Sequence, residues 1–411
     1  MLRSSYNKNY FLRKKYSSIV NILSNNSSSI TYDSDPAKLK SKYDVVIIGA
    51  GHNGLVAANY LAKFSKKKLS ICLLEKRNCI GGAAVTEELV PGFKFSRASY
   101  LLSLFRPIII NDLDLMRHGM LKFYTRDPSS YTPLIETDPQ YSVNRTSLTL
   151  SSDSDFNRKQ IAKFSQLDSI NYEKYEHWLN NICEILEPSL DLSPPSYQTF
   201  SNKNLIGKIK YLKSYLKDYK TSKKLISQSE DIYRLFAEPA ANLLDEWFES
   251  DVLKATLATD SVIGAMLSPY SVGSAYVLLH HIIGGIDGKK GVWAYVEGGM
   301  GSISKCLAHN ARVSFNDQID IFLSQNVTSI ELDDPNKNSP KAKGVLLDNG
   351  KFIECDYLLT NCTPHISFTN LLSKYNLTAH NNKDIANYFK RIEKISYESG
   401  TMKISKLFDF L

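Results

Sequence analysis

At 411 residues with 43% apolar content, the chain is long enough for two domains with cores of their own, which excludes a wholly disordered or a small disulfide-stapled protein. Part of the formal excess of +8 lies in residues 1–15 and part in the Lys-rich stretch Lys203 to Lys224, so no uniformly basic surface for nucleic acid is expected. The cysteines, Cys72, Cys79, Cys183, Cys306, Cys355 and Cys362, form no C-x-x-C pair and no metal-like cluster with histidine, and they read as reduced, mostly buried thiols.

Residues 1–32 hold Arg3, Lys8, Arg13, Lys14 and Lys15, many serines and no acidic residue before Asp33. That is the composition of a mitochondrial transit peptide, weighed here above a disordered basic tail, while a secretory signal lacks its apolar stretch. Residues 33–42 read as a linker. Val45 to Ile48 is a β-branched run ending in glycines, the pattern of a buried parallel strand; Leu55 to Phe64 is helical, and Leu69 to Leu74 is a second strand closing on Glu75. Together they make a βαβ unit.

Asp153 to Glu187 and Leu205 to Leu225 are expected to be helical, with a break at Pro194-Pro195, and to build a second domain. Leu205, Ile209, Leu212, Leu216 and Tyr219 recur at helical spacing among lysines; a face packed on the domain is preferred, with an anionic membrane as the alternative. Residues 261–285 are largely apolar, yet Gly264, Pro269, Gly273 and His280-His281 interrupt them and disfavour a membrane span. Strands are then expected at Arg312 to Phe315, Ile319 to Leu323, Val327 to Leu332, Gly344 to Leu347 and Tyr357 to Thr360. Asp348-Asn349-Gly350 reads as a hairpin turn into Phe352 to Cys355.

The chemistry rests on Gly49-Ala50-Gly51-His52-Asn53-Gly54, a G-x-G-x-x-G between a strand and a helix. Gly49 allows the tight turn, Gly51 lets the backbone approach a pyrophosphate, and Gly54 permits close packing of helix on strand. The free N–H groups at the helix start favour phosphate charge. Glu75, about twenty residues further on, stands where a carboxylate meets both ribose hydroxyls of an adenosine and disfavours a 2′-phosphate.

Behind Glu75 come Ile80-Gly81-Gly82-Ala83, which resemble the second phosphate-facing loop of flavoproteins related to phytoene desaturases and amine oxidases. GAGHNGLVAA, GGAAVTEE, PGFKFSRASYLLSLFRP, YVLLHHIIGG and WAYVEGGMGSISKCLA extend the likeness, with gaps, from about Tyr43 to Lys403. They resemble a mitochondrial family within the phytoene desaturase-like FAD-dependent oxidoreductases. The resemblance implies an α/β fold: a Rossmann-like FAD-binding domain with an inserted α+β substrate domain, C-terminally incomplete. It implies Gly49, Gly51, Asn53 and Gly54 at the pyrophosphate, Glu75 at the adenosine ribose, Gly81 and Gly82 on the flavin side, and the backbone of Val327 at the adenine. Gly298-Gly299-Met300-Gly301 resembles a family loop preceding a core helix, and equally reads as a plain N-terminal turn.

The expected division is a first FAD-binding part over 43–125, a helical substrate or cap domain over 126–295, a return to the FAD-binding domain over 296–370, and the truncated start of a second substrate part over 371–411. Ala83 stands where many relatives have Arg, and Ser96-Arg97 replaces their acidic residue, so amine-oxidase chemistry does not transfer. Gly344, Gly350 and Gly400 are the only glycines after Gly301, so the Gly-rich segment that closes over the flavin in relatives is absent. The expectation is a fragment, a truncated gene product or a degenerate paralogue that holds little flavin.

A small apolar substrate, hydride transfer to FAD, a mitochondrial matrix location, and an inner-membrane or protein partner complete the expectation; no nucleic acid and no metal site are expected. A non-catalytic interaction protein retaining the fold is the alternative. One of His280 and His281 could line a substrate cavity beside Tyr276, Trp293 and Tyr295, but neighbours on a helix point about 100° apart and cannot both do so. A satisfied core histidine is preferred, and no catalytic residue is named.

Overall fold

The computed structural model describes residues 32–117, 121–134, 146–191, 204–215, 226–286 and 289–405. The described residues fall into two compact units, one holding those up to Gly82 together with Leu307–Glu393, the other those within Ala83–Cys306 together with the described residues from Lys394 onward.

The first unit opens with β1 (Lys42–Ile48), α1 (His52–Phe64) and β2 (Ile71–Leu74). β1 is buried from Val45 to Ile48 because strands flank it on both sides, and it runs parallel to β2 with Val45 opposite Ile71. Residues 33–42, expected as a linker, are tied to the sheet instead. Leu323 N–H donates to the Asp33 carbonyl at 2.9 Å, and Lys40 Nζ and Tyr43 Oη each donate to Asp320 Oδ2 at 3.0 Å.

The second unit begins at Ala83 rather than near residue 126, since the segment after the Gly-Gly turn hydrogen-bonds within that unit. β3 (Thr86–Val90) and β4 (Phe93–Ser96) form a hairpin whose Thr86 and Ser96 hydroxyls accept from Gly301 and Met300 N–H. α2 (Pro107–Asp112), β5 (Phe123–Thr125), β6 (Ser130–Pro133) and β7 (Ser147–Leu150) follow. The single helix expected over 153–187 is two, α3 (Ser154–Ile161) and α4 (Gln166–Leu190). Ser165 restarts it by accepting from Asp168 N–H at 3.0 Å, the N-cap role of a serine. The buried Asp168 carboxylate then accepts from Glu249 and Ser250 N–H at 2.9 Å.

α5 (Leu205–Tyr215) matches the start of the second expected helix; Pro194-Pro195, residues 216–225, and residues 1–31 of the expected transit peptide lie outside the described residues. Leu205, Ile206 and Ile209 are 75%, 66% and 47% exposed, so the preferred reading of a packed face is overturned there. α6 (Ser229–Ala237), α7 (Ala240–Trp247), α8 (Asp251–Ala258) and α9 (Ser274–Ile282) surround a core of Tyr175, Ile182, Leu235, Leu244, Leu253 and Leu279. Among the described residues no helix is long and apolar enough to cross a membrane. β8 (Gly285–Ile286) and β9 (Lys289–Lys290) precede β10 (Ala294–Val296), which pairs with β5.

α10 (Gly301–Phe315) corrects the strand expected at Arg312 to Phe315. Ile303, Ser304, Leu307, Ala308 and Ala311 are buried at helical spacing, and Val313 is left exposed on the last turn. β11 (Ile319–Phe322), β12 (Val327–Leu332), β13 (Ala342–Leu347) and β14 (Phe352–Thr360) complete a six-stranded sheet in the order β11-β2-β1-β14-β13-β12. The first four in that order run parallel, and β13 is antiparallel to both of its neighbours, β14 and β12. The Asp348-Gly350 turn forms as expected, with Gly350 at φ +82°. The two strands expected around Asp356 are one. Residues 371–393, expected to begin a second substrate part, belong to the first unit: Leu371, Leu372, Leu377 and, from α11 (Lys383–Glu393), Phe389 pack with Val345 and Ile353.

A buried polar network fixes α1. Asn59 Nδ2 donates to the carbonyls of Leu55 at 2.8 Å and Leu307 at 3.1 Å, while its Oδ1 accepts from Asn310 Nδ2 at 3.0 Å. Removing one member leaves the others buried and unpaired. Asn59→Ala is therefore expected to lower the unfolding free energy by about 2 kcal/mol, read from the denaturant midpoint at unchanged slope; a loss under about 0.5 kcal/mol would show the network to be dispensable.

Candidate dinucleotide site

β1 delivers the chain to the glycine turn at its carboxyl end, the edge at which open α/β sheets bind ligands. Gly49 N–H donates to the Leu74 carbonyl at 2.8 Å, and Gly49 takes φ +98°, a conformation that favours glycine. Gly51 is the N-cap of α1 and offers no side-chain cap. A Cβ there would stand 2.6 Å from the Asn361 amide, and one at Gly54 would collide with the Gly49 carbonyl. Gly49 is thus required by its backbone angle and Gly54 by the carbonyl it faces, while at Gly51 a side chain would displace the Asn361 amide.

The second glycine pair lies against the first. Gly81 N–H donates to the Ala50 carbonyl at 2.9 Å, Gly51 and Gly81 form a parallel bridge, and a Cβ on Gly82 would lie 3.2 Å from Gly51 Cα. Glu75 closes the cluster from the end of β2. One carboxylate oxygen accepts from Ala50 N–H at 2.8 Å and the other from Arg77 N–H at 2.9 Å. A carboxylate has about four acceptor positions, so two remain for hydroxyl groups. Asn53 is exposed on the first turn of α1.

Val327 stands further off. It is buried opposite Leu347 on the outer strand β12, and reaches the cluster through the preceding loop, where Gln325 N–H donates to the Glu75 carbonyl and Ser324 N–H to that of Arg77. Two residues of the turn carry no signal in the motif. Asn361 follows β14, and its amide, assigned so that the oxygen faces the two donors, lies 3.3 Å from Gly51 N and 3.2 Å from Gly54 N. His52 begins α1, and its buried Nδ1 has no hydrogen-bond partner.

The other candidates resolve as packing. In the Gly298-Gly301 turn, the N–H groups of Met300 and Gly301 are taken by the hydroxyls of Ser96 and Thr86, as a structural turn requires. His281 is buried, with Nδ1 2.8 Å from the Val277 carbonyl and its ring stacked on Trp293 at 5.9 Å. His280 is exposed, and the two imidazoles stand at 82° to each other. None of the six cysteines forms a disulfide, and burial pushes the thiols of Cys183, Cys306 and Cys355 up to about 11, which suppresses the nucleophilic thiolate. Among the described residues no His, Cys, Asp or Glu group could hold a metal.

Residues 47–111 match a family described as NAD(P)-binding Rossmann-like domain. The chain is 39% identical over 374 residues to the mouse protein named pyridine nucleotide-disulfide oxidoreductase domain-containing protein 2. The resemblance read from the motifs holds. The match covers 91% of this chain and 61% of the mouse protein, so the chain spans about three-fifths of that relative's length. A phytoene desaturase of Neurospora crassa is 22% identical over 348 residues, covering 82% of this chain and 51% of that one. The solved structure of an oxidoreductase from Methanosarcina mazei superposes with a TM-score of 0.50 at 17% identity, over 86% of this chain and 65% of the other, and shows the fold. The fold is mixed α/β with a Rossmann-type dinucleotide-binding domain.

His52 gives the site a dependence on pH. Burial holds its imidazole below the ordinary value of 6.5, a fall only partly offset by a backbone bond to Gly81. The folded chain resists the proton that the unfolded chain accepts, so stability is undiminished above 6.5 and declines as pH falls from there toward the depressed folded value. Unfolding free energies measured between about pH 7 and pH 5 are expected to fall less steeply in His52→Gln than in the parent chain. Equal slopes would mean that His52 takes up its proton freely.

Proposed function

We propose that this chain is an FAD-dependent oxidoreductase, or the dinucleotide-binding part of one, that acts on a small apolar substrate by hydride transfer to flavin. The observation that carries this reading is the approach of Gly51 to Gly81 and Gly82 beside a carboxylate at Glu75. The start of α1 offers the N–H groups of His52 and Asn53 to phosphate charge, with no bulky side chain on Gly51 or Gly54 beside them. Glu75 would take the ribose, and its negative charge opposes the 2′-phosphate of NADP. Gly81 and Gly82 extend the cradle beyond the adenosine half, which supports FAD over NAD. FAD, when bound, supplies the electron acceptor, so the protein's part is to bind and orient. The names of the relatives, an oxidoreductase domain-containing protein and a phytoene desaturase, agree with this reaction class.

Titration calorimetry tests the assignment. FAD and ADP are expected to bind, NADH to bind at least about tenfold more weakly than FAD, and Gly51→Val to abolish both FAD and ADP binding. Tight NADH binding with none for FAD would replace the flavin reading by a nicotinamide one.

Location in the mitochondrial matrix against an anionic inner-membrane surface belongs to the same proposal. Its supports are the basic, acid-free composition of residues 1–32 and the exposed Leu205, Ile206 and Ile209, with Lys208 and Lys210 alongside them on α5. A reporter fused to the C-terminus of the 411-residue chain is expected to enter mitochondria and sediment with membranes after osmotic lysis, and Lys208→Glu with Lys210→Glu to shift it toward the soluble fraction. Cytosolic signal contradicts import, and sedimentation unchanged by the substitutions contradicts the role of α5.

A further inference from the structure

The first turn of a helix leaves N–H groups without intrahelical partners, and a side chain at the N-cap ordinarily serves one of them. In α1 that position is Gly51, which has no side chain to offer. The missing cap comes from the neighbouring strand, close in space and remote in the chain. Asn361 N–H donates to the Ile48 carbonyl at 2.8 Å, which anchors the residue beside the end of β1. From there, with the amide turned to the orientation that satisfies both of its ends, its oxygen accepts from Gly51 N–H at 3.3 Å and Gly54 N–H at 3.2 Å, and its side chain lies against Gly49. The N–H groups of His52 and Asn53, between those two on the same turn, are left to an anion.

We propose that Asn361 is the positioning residue of the nucleotide turn, a cap supplied by β14 that orders the start of α1 and divides its N–H groups between the protein and a pyrophosphate. The proposal rests on the dinucleotide reading above for the identity of the anion; the capping itself stands apart from it. A neutral amide suits the place better than the isosteric carboxylate. Aspartate would accept the same two N–H groups, but would set a negative charge beside the phosphates and oppose them. Alanine would free Gly51 and Gly54 N–H and let the turn loosen.

Amide hydrogen exchange at Gly51 to Gly54 and titration with ADP, on the full 411-residue chain, test this. In the parent chain Gly51 and Gly54 are expected to exchange slowly, and His52 and Asn53 fast. Asn361→Ala should remove the protection at both glycines and weaken ADP about five- to tenfold. Asn361→Asp should keep the protection yet weaken ADP at low salt, with the loss shrinking as salt is raised. A residue with a merely structural role would not give that salt-dependent split between exchange and affinity. Unchanged exchange at Gly51 and Gly54 in Asn361→Ala overturns the capping role, and ADP affinities of both variants within twofold of the parent overturn the positioning role. If the parent chain binds neither ADP nor FAD while its exchange pattern follows Asn361, the dinucleotide reading fails and the cap stands.

Discussion

Two stretches of backbone meet in a parallel bridge at Gly51 and Gly81, with Gly82 close against Gly51 Cα, and the first unit is arranged around that contact. The Gly81 N–H to Ala50 carbonyl bond fixes where the chain goes after β2, and the Ala50 N–H to Glu75 bond fixes the carboxylate that ends it. Neither bond survives a shift of register between β1 and β2, because Gly49 N–H is itself held by the Leu74 carbonyl. The parallel pairing of Val45 with Ile71 is thus the foundation of the turn.

Burying Glu75 is costly unless its charge is met by donors. Two backbone N–H groups meet it, one from the glycine turn and one from Arg77, so the acid is held by amides rather than by a long flexible cation. Such bonds to an ionised oxygen are stronger than neutral ones and leave the side chain little freedom. The backbone of the same residue joins Phe322 and Gln325, which ties the acid to β11 and to the loop entering β12. Val327 owes its place in the fold to that loop.

Elements whose pattern has a local cause were legible in the sequence. Gly49 and Gly54 announce themselves because no other residue fits, and the Asp348-Gly350 hairpin because its left-handed angle needs glycine. Arg312 to Phe315 misled because β-branched Val313 and aromatic Phe315 read as a strand, whereas the small Ser304, Ala308 and Ala311 that define the buried face of α10 carry little hydrophobic signal. Residues 33–42 are polar enough to pass for a linker, and only the distant Asp320 and Phe322 explain their order. Asn361 was invisible for a similar reason: its partners, Ile48, Gly51 and Gly54, are near in space and remote in the chain.

That remoteness bears on how the chain acquires its shape. β1 pairs with β14 so that Lys42 meets Glu354, 312 residues later. A chain made from its N-terminus has β1, α1 and β2 long before it has the strand that lies between β1 and β13, and all of residues 83–306 are produced in the interval. Contacts so far apart bring no gain until a long loop has closed, which makes them late and slow to form. Until β14 arrives, β1 presents an unpaired apolar edge of the kind that invites mispairing and calls for chaperones. The glycine turn is consequently among the later features of the first unit to mature, although its glycines are synthesised long before Asn361.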